Sequence, residues 1–112
     1  MAEDDILHNL RIKRGRERAN ATRFTTTLEG FDGSTPLDDL EHYRGRLQET
    51  LDMLLSLDDA IHDLLPDKEY EEDIGICEEY IDKAKRAIQR ASRSIDGSLS
   101  ASAVRLSLDG PT

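Results

Sequence analysis

The stretch LEHYRGRLQETLDMLLSLDDAI, residues 40–61, decides the fold that we predict for this chain. One apolar position recurs every seven residues, and a second position follows it three residues later. The first set is Leu40, Leu47, Leu54 and Ile61, and the second is Tyr43, Thr50, Leu57 and Leu64. This repeat is typical of the seam along which the helices of a coiled coil pack. Because one helix cannot cover its own seam, the pattern predicts at least one partner helix.

Two flanking segments have the pattern of partner helices. We expect helices at about residues 4–29, 36–65 and 68–95, because apolar residues recur at spacings of three and four. Pro66 cannot continue a helix, so the short connection predicts an antiparallel hairpin of the last two helices. Gly97 is expected to end the third helix. The predicted fold is all-α: an elongated antiparallel helical hairpin with an N-terminal third helix, forming a coiled-coil-like bundle.

The predicted core lies on facing apolar stripes of the second and third helices. It consists of Leu47, Leu54, Ile61, Ile74, Ile81 and Ile88. Residues 1–97 are expected to form this bundle, while residues 98–112 are Ser-rich, have no period and are predicted to be a disordered tail or linker. Three glycines lie inside predicted helices, and we interpret Gly15, Gly45 and Gly75 as points of close helix approach or local bending.

Composition limits the partners and the compartment. The chain has 24 acidic and 15 basic residues, a net charge of −9, which disfavours nonspecific binding of the whole domain to nucleic acid or anionic membrane. A single cysteine, Cys77, excludes an internal disulfide, and the acidic N-terminal residues lack the pattern of a secretory signal, so we expect a cytoplasmic protein. The longest nearly apolar run, residues 53–57, is too short for a membrane span of about 20 residues.

Candidate chemistry is sparse. Each histidine follows an aspartate by three residues, in the pairs Asp5 and His8, Asp39 and His42, and Asp59 and His62. Such pairs hold metals in some bundles, but in the heptad frame set by Leu40 the pairs of the second helix fall on outer positions. We therefore expect exposed Asp–His pairs and no metal. Cys77 is expected to be a small buried hydrophobe. The sequence predicts no catalytic residue, no cofactor and no small-molecule substrate, and hence no enzyme.

Two groups of residues are candidate interaction sites. The first is the basic run Arg11, Lys13, Arg14, Arg16 and Arg18. Nucleic-acid phosphate would suit it, but no aromatic residue interleaves with the run. Packing against the second helix would bring the run near Asp52, Asp58, Asp59 and Asp63, so we favour intramolecular neutralisation over RNA binding. The second group is Leu51 and Leu55, which lie beyond the narrow seam and are expected to contact other chains.

Four segments carry a resemblance to a known family. They are KRGRERA (13–19), HYRGRLQETL (42–51), LDDAIHDLL (57–65) and CEEYIDKAKRAI (77–88). They resemble the N-terminal Gag-like helical segment of arthropod, tick-type Pao/BEL LTR retrotransposon polyproteins, over about residues 10–96. The resemblance implies a non-enzymatic structural segment that mediates self-association, as a homo-oligomer, or contacts with other proteins.

Two alternatives remain open. One is a small helical interaction module used by a host, which would bind another helical protein along an apolar strip. The other is an RNA-associated module that acts through the basic run of residues 11–18, with weak RNA contact.

Overall fold

The computed structural model describes residues 2–108, and it places the side chains of residues 5–97. Three helices follow one another: α1 spans Ala2–Glu29, α2 spans Leu37–His62 and α3 spans Asp67–Leu108. No strand occurs in residues 2–108, and the prediction of an all-α fold is confirmed.

The helices pack as an antiparallel bundle in which α2 is central. α1 packs most extensively on α2 and least on α3, and α2 also packs along α3. The molecule is a rod of 74 × 20 × 19 Å, as expected for long helices that lie side by side. The predicted hairpin turns at residues 63–66, where the Leu64 and Leu65 amides donate to the Ile61 carbonyl.

Helix ends differ from the sequence prediction at two places. α2 ends at His62, three residues before the predicted end, because the chain already turns at Leu64. α3 continues through Gly97 to Leu108, so the prediction that Gly97 ends this helix is wrong. No glycine among the described residues has the positive φ that a left-handed helix cap uses. The division of the chain after residue 97 stays a prediction, and residues 109–112 lie outside the described part.

The core follows the predicted seam on α2 but not on α3. Leu47, Leu54 and Ile61 are fully buried, as predicted. The three isoleucines predicted on α3, Ile74, Ile81 and Ile88, are only half-buried. Most of the buried positions of α3 belong to smaller residues, Cys77, Ala84, Ala87 and Ala91, and one belongs to Ile95. Small side chains allow two helix backbones to approach, so the larger isoleucines lie at the edge of the interface between α2 and α3.

The glycines inside the helices do not mark close contacts. A Cβ atom placed on Gly15, Gly45 or Gly75 would meet no atom within 4 Å. The interpretation of these glycines as points of close helix approach is therefore wrong. Replacing any of the three glycines with alanine therefore adds no steric conflict.

Candidate functional site

A cluster of polar side chains lies inside one half of the bundle. It consists of Arg14 from α1, Asp58 and His62 from α2, and Asp73 and Cys77 from α3, and we call it the polar cluster. Three of these residues continue a buried heptad position of their own helix. The buried series are Arg14, Ala21 and Leu28 on α1, Leu51 and Asp58 on α2 with Leu65 in the turn after it, and Cys77, Ala84 and Ala91 on α3. The heptad pattern therefore brings charged residues into the core.

Arg14 connects all three helices. Its Nη1 donates to Asp73 Oδ2 at 2.8 Å and to Asp58 Oδ1 at 3.3 Å, and its Nη2 donates to Asp73 Oδ1 at 2.8 Å. The pairing with Asp73 is bidentate, the strongest common geometry for a guanidinium and a carboxylate. Burial alone lowers the pKa of Arg14, but the hydrogen bond and the charge of Asp73 outweigh it and raise the pKa. Arg14 therefore carries a permanent positive charge, although the residue is only 6% exposed.

Asp73 accepts hydrogen bonds from three residues. Besides Arg14, its Oδ2 lies 2.8 Å from His62 Nε2 and accepts from Cys77 Sγ at 3.4 Å. Burial alone raises the pKa of Asp73, but the hydrogen bonds from Arg14, His62 and Cys77 outweigh burial and hold the pKa well below its usual range. Asp73 is therefore ionised at neutral pH, although its side chain is only 14% exposed.

Cys77 is buried, as predicted, but its neighbours are polar. The sulfur lies 3.7 Å from His62 Nε2, and it accepts from Arg18 Nη2 at 3.3 Å and from Arg14 Nη1 at 3.6 Å. Burial and the carboxylates of Asp58 and Asp73 raise the pKa of the thiol to about 12. The thiol is thus protonated at neutral pH and is not an activated nucleophile.

The structure corrects the prediction for one of the three Asp–His pairs. Asp59 and His62 were expected to form an exposed pair, but His62 is half-buried and contacts Asp73 across the hairpin. Its ring also packs edge-on against Tyr70, with 5.1 Å between the ring centroids. The other pairs are exposed, as expected. The ligand atoms of His62, Asp73 and Cys77 all lie within 4.8 Å of one another.

The basic run is divided between the core and the surface. Arg14 is neutralised within the molecule by Asp58, one of the aspartates that the sequence predicts near the basic run. It is also neutralised by Asp73 of α3, which the sequence does not predict. The Arg18 guanidinium lies 4.6 Å above the ring of Tyr80. Arg11, Lys13 and Arg16 are exposed, and none of the three forms an ion pair with another described side chain.

The two leucines predicted to contact other chains have different positions. Leu51 is 3% exposed and belongs to the core, so its prediction as an accessible contact is wrong. It faces inward because it continues the same heptad position as Asp58 and Leu65. Leu55 is 43% exposed and lines a groove between α2 and α3, where it remains a candidate contact.

No protein-family model matches the chain, and comparisons with curated proteins and with solved structures give no match. None of the described helices contains a stretch that is long and apolar enough to cross a membrane. Every buried polar side-chain atom among the described residues has a hydrogen-bond partner. The polar cluster is thus a fully connected network, of the kind that can stabilise one arrangement of the helices.

Proposed function

We propose that this chain is a non-enzymatic, Gag-like structural module of a Pao/BEL-type retrotransposon that works in the cytoplasm by self-association. The resemblance over residues 10–96 supports the origin. The observation that carries self-association is the presence of two surfaces with opposite charge and exposed apolar side chains. The buried and protonated thiol of Cys77 supports a non-enzymatic role.

The first surface is the acidic groove between α2 and α3. Its apolar residues are Leu55, Ile74 and Ile81, of which Leu55 is exposed and the two isoleucines are half-buried. Four carboxylates also line it, those of Asp58, Asp59, Glu78 and Asp82, against the single basic residue Lys85. An apolar strip with a charged rim is a common form of protein interface.

The second surface is the basic face of α1, formed by Ile12, Lys13 and Arg16. Arg16 follows Ile12 by four positions and Lys13 by three, so all three residues lie on one side of the helix. Ile12 is 42% exposed, which is a large exposure for an isoleucine, and the two basic residues are exposed beside it. The basic face can place one apolar side chain and two positive charges on an acidic groove.

The two surfaces are different patches of the molecule, so a contact between them is heterologous. Such contacts continue from copy to copy unless the rotation closes a ring. A module of this kind builds chains or rings of rods, which agrees with an assembly role. The opposite charges favour the correct orientation and a faster association.

Sedimentation velocity over a wide concentration range tests the proposal. We expect oligomers that grow with concentration in the unmodified protein. The basic-face variant Lys13→Glu/Arg16→Glu and the groove variant Glu78→Lys/Asp82→Lys should each remain monomeric, while an equimolar mixture of the two variants should associate. A matched control is Asp38→Lys/Asp39→Lys, which changes two exposed carboxylates at the start of α2.

Three results would contradict this proposal. A strictly monomeric protein at about 1 mM would exclude even contacts of about −4 kcal/mol. Equal effects of all three paired variants would exclude the two surfaces as the contact. Salt-dependent retention on RNA without self-association would favour the RNA-associated alternative through Arg11, Lys13 and Arg16, and binding only to an unrelated helical protein would favour the host-used module.

A further inference from the structure

The polar cluster contains three side chains of the kinds that bind transition metals. We propose that His62 Nε2, Asp73 Oδ2 and Cys77 Sγ form a zinc site with three protein ligands. The three atoms belong to two helices that meet at one end of the hairpin, and all lie within 4.8 Å of one another. His62 and Cys77 line the acidic groove, but zinc binding by a single chain does not require self-association.

Two of the three distances between the ligand atoms agree with zinc coordination. Tetrahedral zinc with bonds of about 2.3 Å to sulfur and about 2.0–2.2 Å to nitrogen and oxygen separates its ligand atoms by about 3.3–3.6 Å. Cys77 Sγ lies 3.7 Å from His62 Nε2 and 3.4 Å from Asp73 Oδ2. The separation of Nε2 and Oδ2 is 2.8 Å, a hydrogen bond that has to lengthen by roughly 0.5 Å around an ion.

Two arginines of α1, Arg14 of the polar cluster and Arg18 beside it, can support the ligands while an ion is bound. Arg14 donates to both oxygens of Asp73, each at 2.8 Å. A carboxylate oxygen has two lone pairs, so Oδ2 can keep this bond and bind the metal through its second lone pair. Arg18 Nη2 donates to the sulfur at 3.3 Å. Hydrogen bonds of this kind orient metal ligands and raise the affinity of a site. Binding replaces the hydrogen bond between His62 and Asp73, and it releases the thiol proton of Cys77 to solvent because zinc binds the thiolate.

The surroundings favour entry of a cation. His62 and Cys77 line the acidic groove, where the carboxylates of Asp58, Asp59, Glu78 and Asp82 outnumber Lys85. A groove with an excess of one charge concentrates ions of the opposite sign. The positive charge of Arg14, which would otherwise repel an ion, is offset by Asp58 at 3.3 Å and by Asp73 at 2.8 Å.

The ligand set selects the type of ion. Thiolate and imidazole bind zinc and its neighbours in the transition series, whereas magnesium and calcium prefer sites made of oxygen atoms alone. The prediction from sequence that this chain binds no metal depended on an outward-facing His62. The structure removes that premise, because His62 faces Asp73 and Cys77.

Zinc titration of the full chain, followed by calorimetry, tests the site. We expect one ion per chain, and we expect His62→Gln and Cys77→Ser each to weaken binding at least tenfold. The matched control is His42→Gln, which removes an exposed histidine of the same helix and should leave the affinity unchanged. Circular dichroism of each variant shows whether the helices remain.

Cobalt as a spectroscopic probe tests the thiolate ligand without any substitution. The unmodified, folded protein should develop a thiolate-to-cobalt charge-transfer band and the visible bands of tetrahedral cobalt, and zinc should displace both. Absence of the charge-transfer band in the unmodified protein would overturn the proposal even if the variants fail to fold. Failure to take up zinc, or equal loss of binding in His42→Gln and His62→Gln, would overturn it as well.

Discussion

The two halves of the bundle use equivalent heptad positions in opposite ways. In one half these positions hold Ala21, Leu51 and Ala84, and in the other half they hold Arg14, Asp58 and Cys77, one heptad along each helix. The apolar half is stabilised by the removal of apolar surface from water. This stabilisation depends on the buried area and not on the orientation of the contacting groups. The polar half is stabilised by hydrogen bonds of defined direction, but the removal of its charged side chains from water opposes folding.

Because of this difference, the two halves can contribute differently to the stability of the fold and to the register of the helices. An apolar interface tolerates a shift of one helix along another more readily than a bidentate ion pair does. Arg14 satisfies both oxygens of Asp73 in only one register of α1 on α3. We infer that the apolar half supplies most of the free energy of folding, while the polar cluster determines the register of α1.

The largest effect is expected in the apolar half, for Leu54→Asp. Leu54 is 1% exposed, so the variant buries a carboxylate without a partner, and we expect loss of the cooperative fold. Circular dichroism and thermal melting measure this. The control is Leu55→Asp, one residue further along, where the side chain is exposed and the helices should persist. Equal melting temperatures of the two variants would contradict the assignment of Leu54 to the buried seam of α2.

The next largest effect is expected in the polar cluster, for Arg14→Met. The variant leaves Asp58 and Asp73 without their cation, and we expect a loss of about 3–5 kcal/mol in the free energy of unfolding, measured with urea. Arg16→Met is the control because Arg16 is exposed. If both variants lose the same free energy, Arg14 has no special role.

A triple variant sharpens the comparison between stability and specificity. Arg14→Leu/Asp58→Leu/Asp73→Leu replaces the ion pairs by apolar side chains, and it should recover most of the stability lost in Arg14→Met. If the polar cluster determines register, the triple variant should keep its helicity but show broadened side-chain resonances by NMR. Sharp resonances at single positions would show that the apolar half alone determines the register.

A smaller effect is expected from pH. The pKa of Asp73 is lower in the folded protein than the usual value of about 3.9, so the unfolded chain binds more protons as the pH falls through that value. The contribution of Asp73 to stability is therefore complete above about pH 5 and is lost progressively in more acidic solution. Urea unfolding at several pH values should show a flatter acid dependence for Asp73→Asn than for the control Asp59→Asn.

The smallest effect is a gain in stability for Gly45→Ala and Gly15→Ala. Neither added methyl group meets an atom within 4 Å, and each variant should raise the free energy of unfolding by about 1 kcal/mol. Gly45 lies in the apolar half and Gly15 beside the polar cluster. A clearly smaller gain at Gly15 would indicate that α1 is less firmly held in the polar half.

The sequence predicts the α2 side of the bundle well because large apolar residues recur every seven positions from Leu40 to Ile61. Leu47, Leu54 and Ile61 are buried as expected, and Pro66 lies in the turn of the hairpin. On α3 the same reasoning predicts that isoleucines form the centre of the interface. The structure instead buries alanines there and leaves Ile74, Ile81 and Ile88 half-buried. Size and hydrophobicity alone therefore misplace the centre of α3.

The polar cluster was only partly visible in the sequence. The spacing of Arg14, Ala21 and Leu28 shows that Arg14 occupies a buried position, and Asp58 follows Leu51 by one heptad. Nothing in the spacing of α3 distinguishes Asp73 from the other acidic residues near it. Its role depends on how far α3 is offset along α2, which the turn at residues 63–66 determines and which heptads alone do not show.

Arg14 also has a consequence for how sequences of this kind can change over time. Its partners Asp58 and Asp73 lie 44 and 59 positions away in the chain, yet both carboxylates depend on this one arginine. Loss of Arg14 leaves two carboxylates on the other helices without their cation, so a lineage cannot replace the arginine first without passing through a destabilised protein. Among natural variants of this chain, we expect the arginine to be kept wherever the two aspartates are kept.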